Sequence, residues 1–178
     1  MSELRFDGRV AVITGAGRGL GRSYSLLLAS RGAKVVVNDL GVTRHGADPD
    51  SGPAQQVVDE IRAAGGEAVA NTNSVSTAEG GKAIIQQAMD TWGRVDILIA
   101  NAGFNRTMSM KELSLEDFEA VLGVHLMGGF HLARPAFPIM CAQKYGRIVL
   151  TSSIAGAYSE KTLAGYAVSK AGLVGLSN

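Results

Sequence analysis

The sequence predicts an α/β fold, a doubly wound parallel sheet built as a single domain over residues 1–178. Two patterns predict it. Short runs rich in Val and Ile, bounded by turn-forming residues, recur at Arg9–Thr14, Lys34–Asp39, Glu67–Asn71, Val95–Ala100 and Arg147–Thr151, as strands buried on both faces do. Segments with helical periodicity lie between them, and that alternation implies a parallel sheet covered on both sides. Right-handed crossovers then make double winding the economical topology.

The first strand runs directly into Thr14-Gly15-Ala16-Gly17-Arg18-Gly19-Leu20-Gly21, with a helix from Leu20 to Arg31. Glycines in such a loop let the backbone approach a pyrophosphate, and the N–H groups and positive dipole end of the helix face the anion. That is the phosphate site of a Rossmann fold. Gly15, Arg18, Gly19, Leu20 and Gly21 are the candidate cofactor residues in it. The chain holds 23 glycines, and they fall at the ends of apolar runs, where they serve turns and close backbone approach.

The second strand closes with Asp39, eighteen residues after Gly21. A carboxylate there accepts hydrogen bonds from both hydroxyls of the adenine-side ribose and repels a 2′-phosphate. It also suits a cap for the following turn. Arg18 points the other way, because a guanidinium in the loop reaches a 2′-phosphate and favours NADP. An unpaired carboxylate facing a phosphate costs more than an exposed arginine gains, so NAD is the expected cofactor.

The polar connection Gly41–Pro53 reads equally well as a cofactor-covering loop or a surface insertion. Helices follow at Ala54–Ala64 and Ala78–Trp92, and one long helical segment runs from about Leu115 to Gln143. Pro135 and Pro138 should each remove a hydrogen bond there and kink it. The stripe Leu122, Leu126, Phe130 and Phe137 suits a core or a subunit contact. Cys141 and Trp92 read as packing residues, and His45 and His131 carry no signal.

The fifth strand ends in Ser152-Ser153; Tyr166 follows thirteen residues after Ser153, and Lys170 four residues after that. On a helix opening at Tyr166 the two share a face. Tyrosine is a poor base because its reference pKa is about 10, but a nearby ammonium and a positive nicotinamide ring favour the phenolate. Tyr166 would exchange the proton of an alcohol, and the Ser153 hydroxyl would hold the reacting oxygen. Tyr and Lys at this spacing also arise by chance, so the joint pattern carries the weight.

With Thr14-Gly15-x-x-x-Gly19-x-Gly21, Asn101-Ala102-Gly103 after the fourth strand, Ser153 and Tyr166-x-x-x-Lys170 in place, the sequence resembles the short-chain dehydrogenase/reductase family over essentially its whole length. The resemblance implies that Ser153, Tyr166 and Lys170 are catalytic and that Lys170 also binds the nicotinamide ribose. It also implies that Asn101, Ala102 and Gly103 support the central strands beside the cofactor. Two positions depart from the family. Ser74-Val75 stands where an Asp-Val pair usually contacts adenine, and His125 replaces an asparagine that relays protons through water to the lysine. His125 reads either as part of that relay or as a core-facing helix residue with one satisfied nitrogen. The segments Val36–Gly41 and Lys144–Ile148, with His125, look like the hydroxyacyl-CoA dehydrogenase domain of peroxisomal-type multifunctional β-oxidation enzymes. That implies a 3-hydroxyacyl-CoA or another bulky secondary alcohol. By the same resemblance the protein is a homo-oligomer, dimer or tetramer. The segment that selects substrate in the family lies beyond the tyrosine-lysine helix, so the chain is expected to lack its C-terminal substrate-binding part, with the sheet incomplete at the C-terminus and the fifth strand unpaired on its outer edge.

Composition narrows the partners. Seventeen basic against 16 acidic residues give a net charge of +1 with no clustered sign, which argues against nucleic acid and anionic membranes. A small-molecule alcohol or ketone is the expected partner. One cysteine and scattered histidines give no disulfide framework and no metal site. The first apolar run is too short for a signal sequence and no run has membrane-spanning length, so a cytoplasmic location is expected. An NADPH-dependent ketoreductase using Arg18 and a non-catalytic cofactor-binding protein are the alternatives.

Overall fold

The computed structural model describes residues 4–41, 52–158 and 161–178; His45 and residues 42–51 of the Gly41–Pro53 connection lie outside them. Strands β1 (Val10–Thr14), β2 (Lys34–Asn38), β3 (Ala68–Asn71), β4 (Ile97–Ala100) and β5 (Arg147–Leu150) form one parallel sheet in the order β3-β2-β1-β4-β5. The chain moves outward from β1 to β3, then returns to the other side of β1 with β4. That reversal opens a crevice at the carboxyl ends of β1 and β4, where open α/β sheets bind ligands.

The helices are α1 (Gly19–Ser30), α2 (Gly52–Ala63), α3 (Ala78–Trp92), α4 (Leu115–Leu122), α5 (Gly128–Gln143) and α6 (Ala164–Leu176). Successive strand residues point to opposite faces, so the sheet has two cores. Val10, Val12 and Leu98 pack with Ile84 of α3 and Leu132 of α5. On the other face Ile13, Val35 and Val37 pack with Val57 and Ile61 of α2. Each such side chain, fully removed from water, contributes about 1.5–3 kcal/mol. Trp92 packs on the first of these cores, as the sequence suggested.

Three expectations need correction. Strand β5 pairs with β4 alone among the described residues, the open edge expected of it, but it is not buried on both faces, since Val149 is 49% exposed. Cys141 is exposed rather than packed, being the residue after buried Met140 and so turned to the outer side of α5. The long helical segment is α4, a π-helical turn over Gly123–Met127, and α5. Pro135 and Pro138 lie inside α5 without ending it, since each deletes only one donor and the neighbours Ala136 and Met140 hold the helix in the core. The π-helical turn lies N-terminal to both prolines, and the glycines that follow it at the start of α5 allow close approach. A Cβ on Gly128 would lie 3.0 Å from Val75 Cγ2 and one on Gly129 2.9 Å from Leu173 Cδ2.

Candidate active site

Helix α3 is capped by the Thr77 hydroxyl and α4 by that of Ser114, but α1 starts with no side-chain cap and no acid in its first turn. Its first N–H groups are thus left for an anion. Glycines shape the approach. A Cβ on Gly21 would stand 2.1 Å from the Gly15 carbonyl oxygen, and one on Gly15 2.8 Å from Ala102 Cα, so these two let backbone pack on backbone. Gly19, at φ +52°, faces open space, with nothing within 4 Å of where its Cβ would be. An open, uncapped cradle of this kind fits the pyrophosphate of a nicotinamide dinucleotide.

The tips of β1 and β4 are tied together at the crevice. Asn101 Nδ2 donates to the carbonyls of Thr14 and Gly15 at 3.0 and 3.2 Å, and Thr14 Oγ1 accepts from the N–H groups of Asn101 and Ala102 at 3.1 Å each. Asp39 lies one residue past β2. Its Oδ2 accepts from Gly17 N–H and its Oδ1 from Gly41 N–H, each at 2.8 Å. The carboxylate therefore does cap the turn, and it does so at the rim of the crevice. Buried Asn38 donates through Nδ2 to Asn71 Oδ1 at 2.8 Å and to the Asn73 carbonyl at 2.9 Å, which draws the turn holding Ser74 and Val75 towards β2.

Gly15, Arg18, Gly19, Leu20, Asp39, Ser74, Val75, Asn101, Ala102 and Gly103 line one cleft of about 780 Å³. Gly21 lies beneath it as a packing residue. An adjoining cleft of about 690 Å³ is lined by His125, Tyr166 and Lys170, and the two share Asn101, Gly103, Phe104 and Arg106 as a common wall.

Helix α6 begins two residues before Tyr166, so Tyr166 and Lys170 sit one turn apart as the spacing requires. Lys170 is 4% exposed; its Nζ donates to the Thr151 carbonyl and lies 5.4 Å from the centre of the Tyr166 ring. Burial lowers its pKa to about 8. His125, delivered by the π-helical turn, meets Tyr166 edge-on, with ring centres 5.2 Å apart. Its Nε2 lies 2.8 Å from the Phe104 carbonyl oxygen and 3.2 Å from the Phe104 amide nitrogen. Nδ1 is buried and has no partner among the described residues. Burial, seconded by the charge of Lys170, pulls the imidazole down to about 4, so the ring is neutral at pH 7. The ring is thus buried with one satisfied nitrogen, and it also lines the cleft beside Tyr166 and Lys170. Ser153 stands outside the lining of both clefts; it opens the short turn Ile154–Gly156, and its Oγ accepts from Ala155 N–H at 3.2 Å.

Sequence reasoning passed over Gly17, although it sits within the glycine run, because the motif counts only Gly15, Gly19 and Gly21. It also passed over Arg106, which pairs with Asp117 of α4 and borders both clefts; an isolated arginine after Asn-Ala-Gly gives no periodic signal. His131, read as silent, places Nδ1 3.0 Å from the Val75 carbonyl. Among the described residues no group of His, Cys, Asp and Glu could hold a metal ion, and no helix is long and apolar enough to cross a membrane.

The family described as short chain dehydrogenase matches residues 9–178. The chain is 53% identical to the peroxisomal multifunctional enzyme type 2 of Drosophila melanogaster, over 99% of this chain and 29% of that protein. It is 52% identical to the peroxisomal hydratase-dehydrogenase-epimerase of Saccharomyces cerevisiae, over 98% of this chain and 19% of that protein. It thus spans less than a third of the length of either curated relative. A solved short chain dehydrogenase/reductase from Burkholderia phymatum in complex with NAD superposes with a TM-score of 0.89 at 37% identity, covering 98% of this chain and 59% of that one. The cytoplasmic expectation is overturned by these comparisons, since both curated relatives are peroxisomal enzymes. Composition and charge could not have revealed this, because organelle addresses are read by receptors from short signals rather than from bulk properties. With its glycine cradle, tied strand tips and tyrosine-lysine helix, the chain belongs to the short-chain dehydrogenase family.

Proposed function

We propose that the protein is an NAD-dependent dehydrogenase that interconverts a secondary alcohol and a ketone, with 3-hydroxyacyl-CoA thioesters as its substrate class and the peroxisome as its setting. The observation that carries this reading is the buried Lys170 ammonium held 5.4 Å from the Tyr166 ring, in a cleft that shares a wall with the glycine cradle. NAD, when bound, supplies the hydride acceptor. Gly15, Gly19 and the start of α1 would hold its pyrophosphate, Asp39 its adenosine ribose and Lys170 its nicotinamide ribose.

The chain's own residues do the rest. Tyr166 takes the hydroxyl proton of the alcohol, or returns it in the reverse direction, and the Lys170 charge favours the phenolate that makes this possible. Ser153 accepts from Ala155 N–H and keeps its own hydroxyl proton to donate; the role assigned to it is to hold the reacting oxygen. His125, neutral and packed against Tyr166, orients the ring and carries no charge into the cleft. The names of the peroxisomal relatives support the substrate class and the setting. The test is absorbance of NADH on mixing the protein with NAD and 3-hydroxyacyl-CoA esters, beside Tyr166→Phe. Turnover should fall at least about a thousandfold in the variant while NADH affinity changes little; an unchanged rate refutes the assignment of Tyr166.

A further inference from the structure

Asp39 occupies a tighter seat than a ribose-binding carboxylate needs. Its two oxygens are held at 2.8 Å by Gly17 N–H and Gly41 N–H, so its orientation is fixed before any nucleotide arrives. Gly17 makes that seat possible. A Cβ at position 17 would lie 2.9 Å from Asp39 Oδ2, 3.0 Å from its Cγ and 2.7 Å from Pro53 Cβ. Both neighbours cannot stay in place. Pro53 is buried within the first turn of α2 and moves only with the helix, whereas Asp39 is a short side chain on a half-buried residue that can rotate. The cheaper relief is loss of the Asp39 seat with the fold retained.

We infer that Gly17 is a specificity-determining residue for the cofactor: the missing side chain at position 17 seats the Asp39 carboxylate against the glycine loop, where it accepts the ribose hydroxyls and excludes a 2′-phosphate. This rests on the NAD reading above and assigns it to a pair, Gly17 with Asp39, rather than to the charge of Asp39 alone. A carboxylate displaced from two N–H donors neither presents its lone pairs to the ribose nor holds its charge where the phosphate would sit. Gly17→Ala should therefore weaken NADH binding and leave NADPH binding much less affected.

The test is a fluorescence titration of the protein, of Gly17→Ala and of Asp39→Glu with NADH and with NADPH, alongside thermal melts without nucleotide. Asp39→Glu keeps the charge, but its extra methylene group prevents the carboxylate from occupying the same seat. In both variants the ratio of NADPH to NADH dissociation constants should fall about tenfold or more, the scale of one lost charge-assisted hydrogen bond. A ratio within twofold of the parent in both variants overturns the role of Gly17 while leaving NAD preference standing. Tighter binding of NADPH by the parent protein overturns the NAD reading and this inference with it. Should Gly17→Ala melt before binding can be read, Asp39→Glu decides by the same ratio.

Discussion

Replacing His125 with asparagine removes one titratable group from the interior without adding a charge. The imidazole is 6% exposed, and burial first, then the Lys170 charge, brings its pKa to about 4 from the ordinary 6.5. In the unfolded chain it takes up a proton as pH falls through 6.5, but in the folded protein only near 4. Its contribution is therefore complete above pH 6.5 and is lost as pH falls to about 4. At 1.36 kcal/mol for each unit separating the two pKa values, the loss is about 3 kcal/mol, or roughly 5–10 °C in melting temperature for a domain of this size. Urea or thermal denaturation of both proteins at pH 7.5 and 4.5 measures it. Both lose stability in acid as carboxylates protonate, and His125→Asn should lose about 3 kcal/mol less. Parallel losses would refute the buried, neutral imidazole. A difference in stability at pH 7.5 alone would report only changed packing against Gly103 and Tyr166.

Lys170 gives the complementary case at high pH. Its pKa is lowered by burial from 10.5 to about 8, so the folded protein releases the proton first, and the cost of burying the charge, whole below pH 8, is relieved as pH rises to 10.5. Stability of the parent relative to Lys170→Met should rise across that window by up to about 3 kcal/mol, read by denaturant melts at pH 7.5 and 10; no relative change would contradict the burial. Asp96 anchors the opposite end of the sheet. Burial pushes its carboxyl up, but donors from Arg94, Val10 N–H and Arg9 outweigh this and hold it below the ordinary range. Asp96→Asn should cost about 3 kcal/mol in urea unfolding, and a loss below about 1 kcal/mol would mean that the arginines are served by water.

Much of the fold lies in patterns of a few residues, which is why it is legible in the chain. Val and Ile runs such as Val10–Ile13 and Val35–Val37 become central strands because continuous apolarity suits only an element covered on both faces. β5 has a similar composition, yet Val149 is exposed, because burial of a face depends on what packs over it and no run of residues states that. The same division runs through the site. Gly15, Gly19 and the Tyr166-Lys170 spacing could be read directly, since a loop before a helix and one helical turn are short-range geometries.

Backbone periodicity and local sterics set the alternation of strand and helix, the glycine loop and the one-turn pairing of Tyr166 with Lys170. The remainder came from the packed fold. It placed the π-helical turn that brings His125 against Tyr166, clasped Asp39 between the N–H groups of Gly17 and Gly41, buried Lys170 beneath Thr151, and shared Arg106 between two clefts. These contacts join segments distant along the chain. Their energies come from desolvation and hydrogen-bond geometry that exist only once the sheet and its helices have packed.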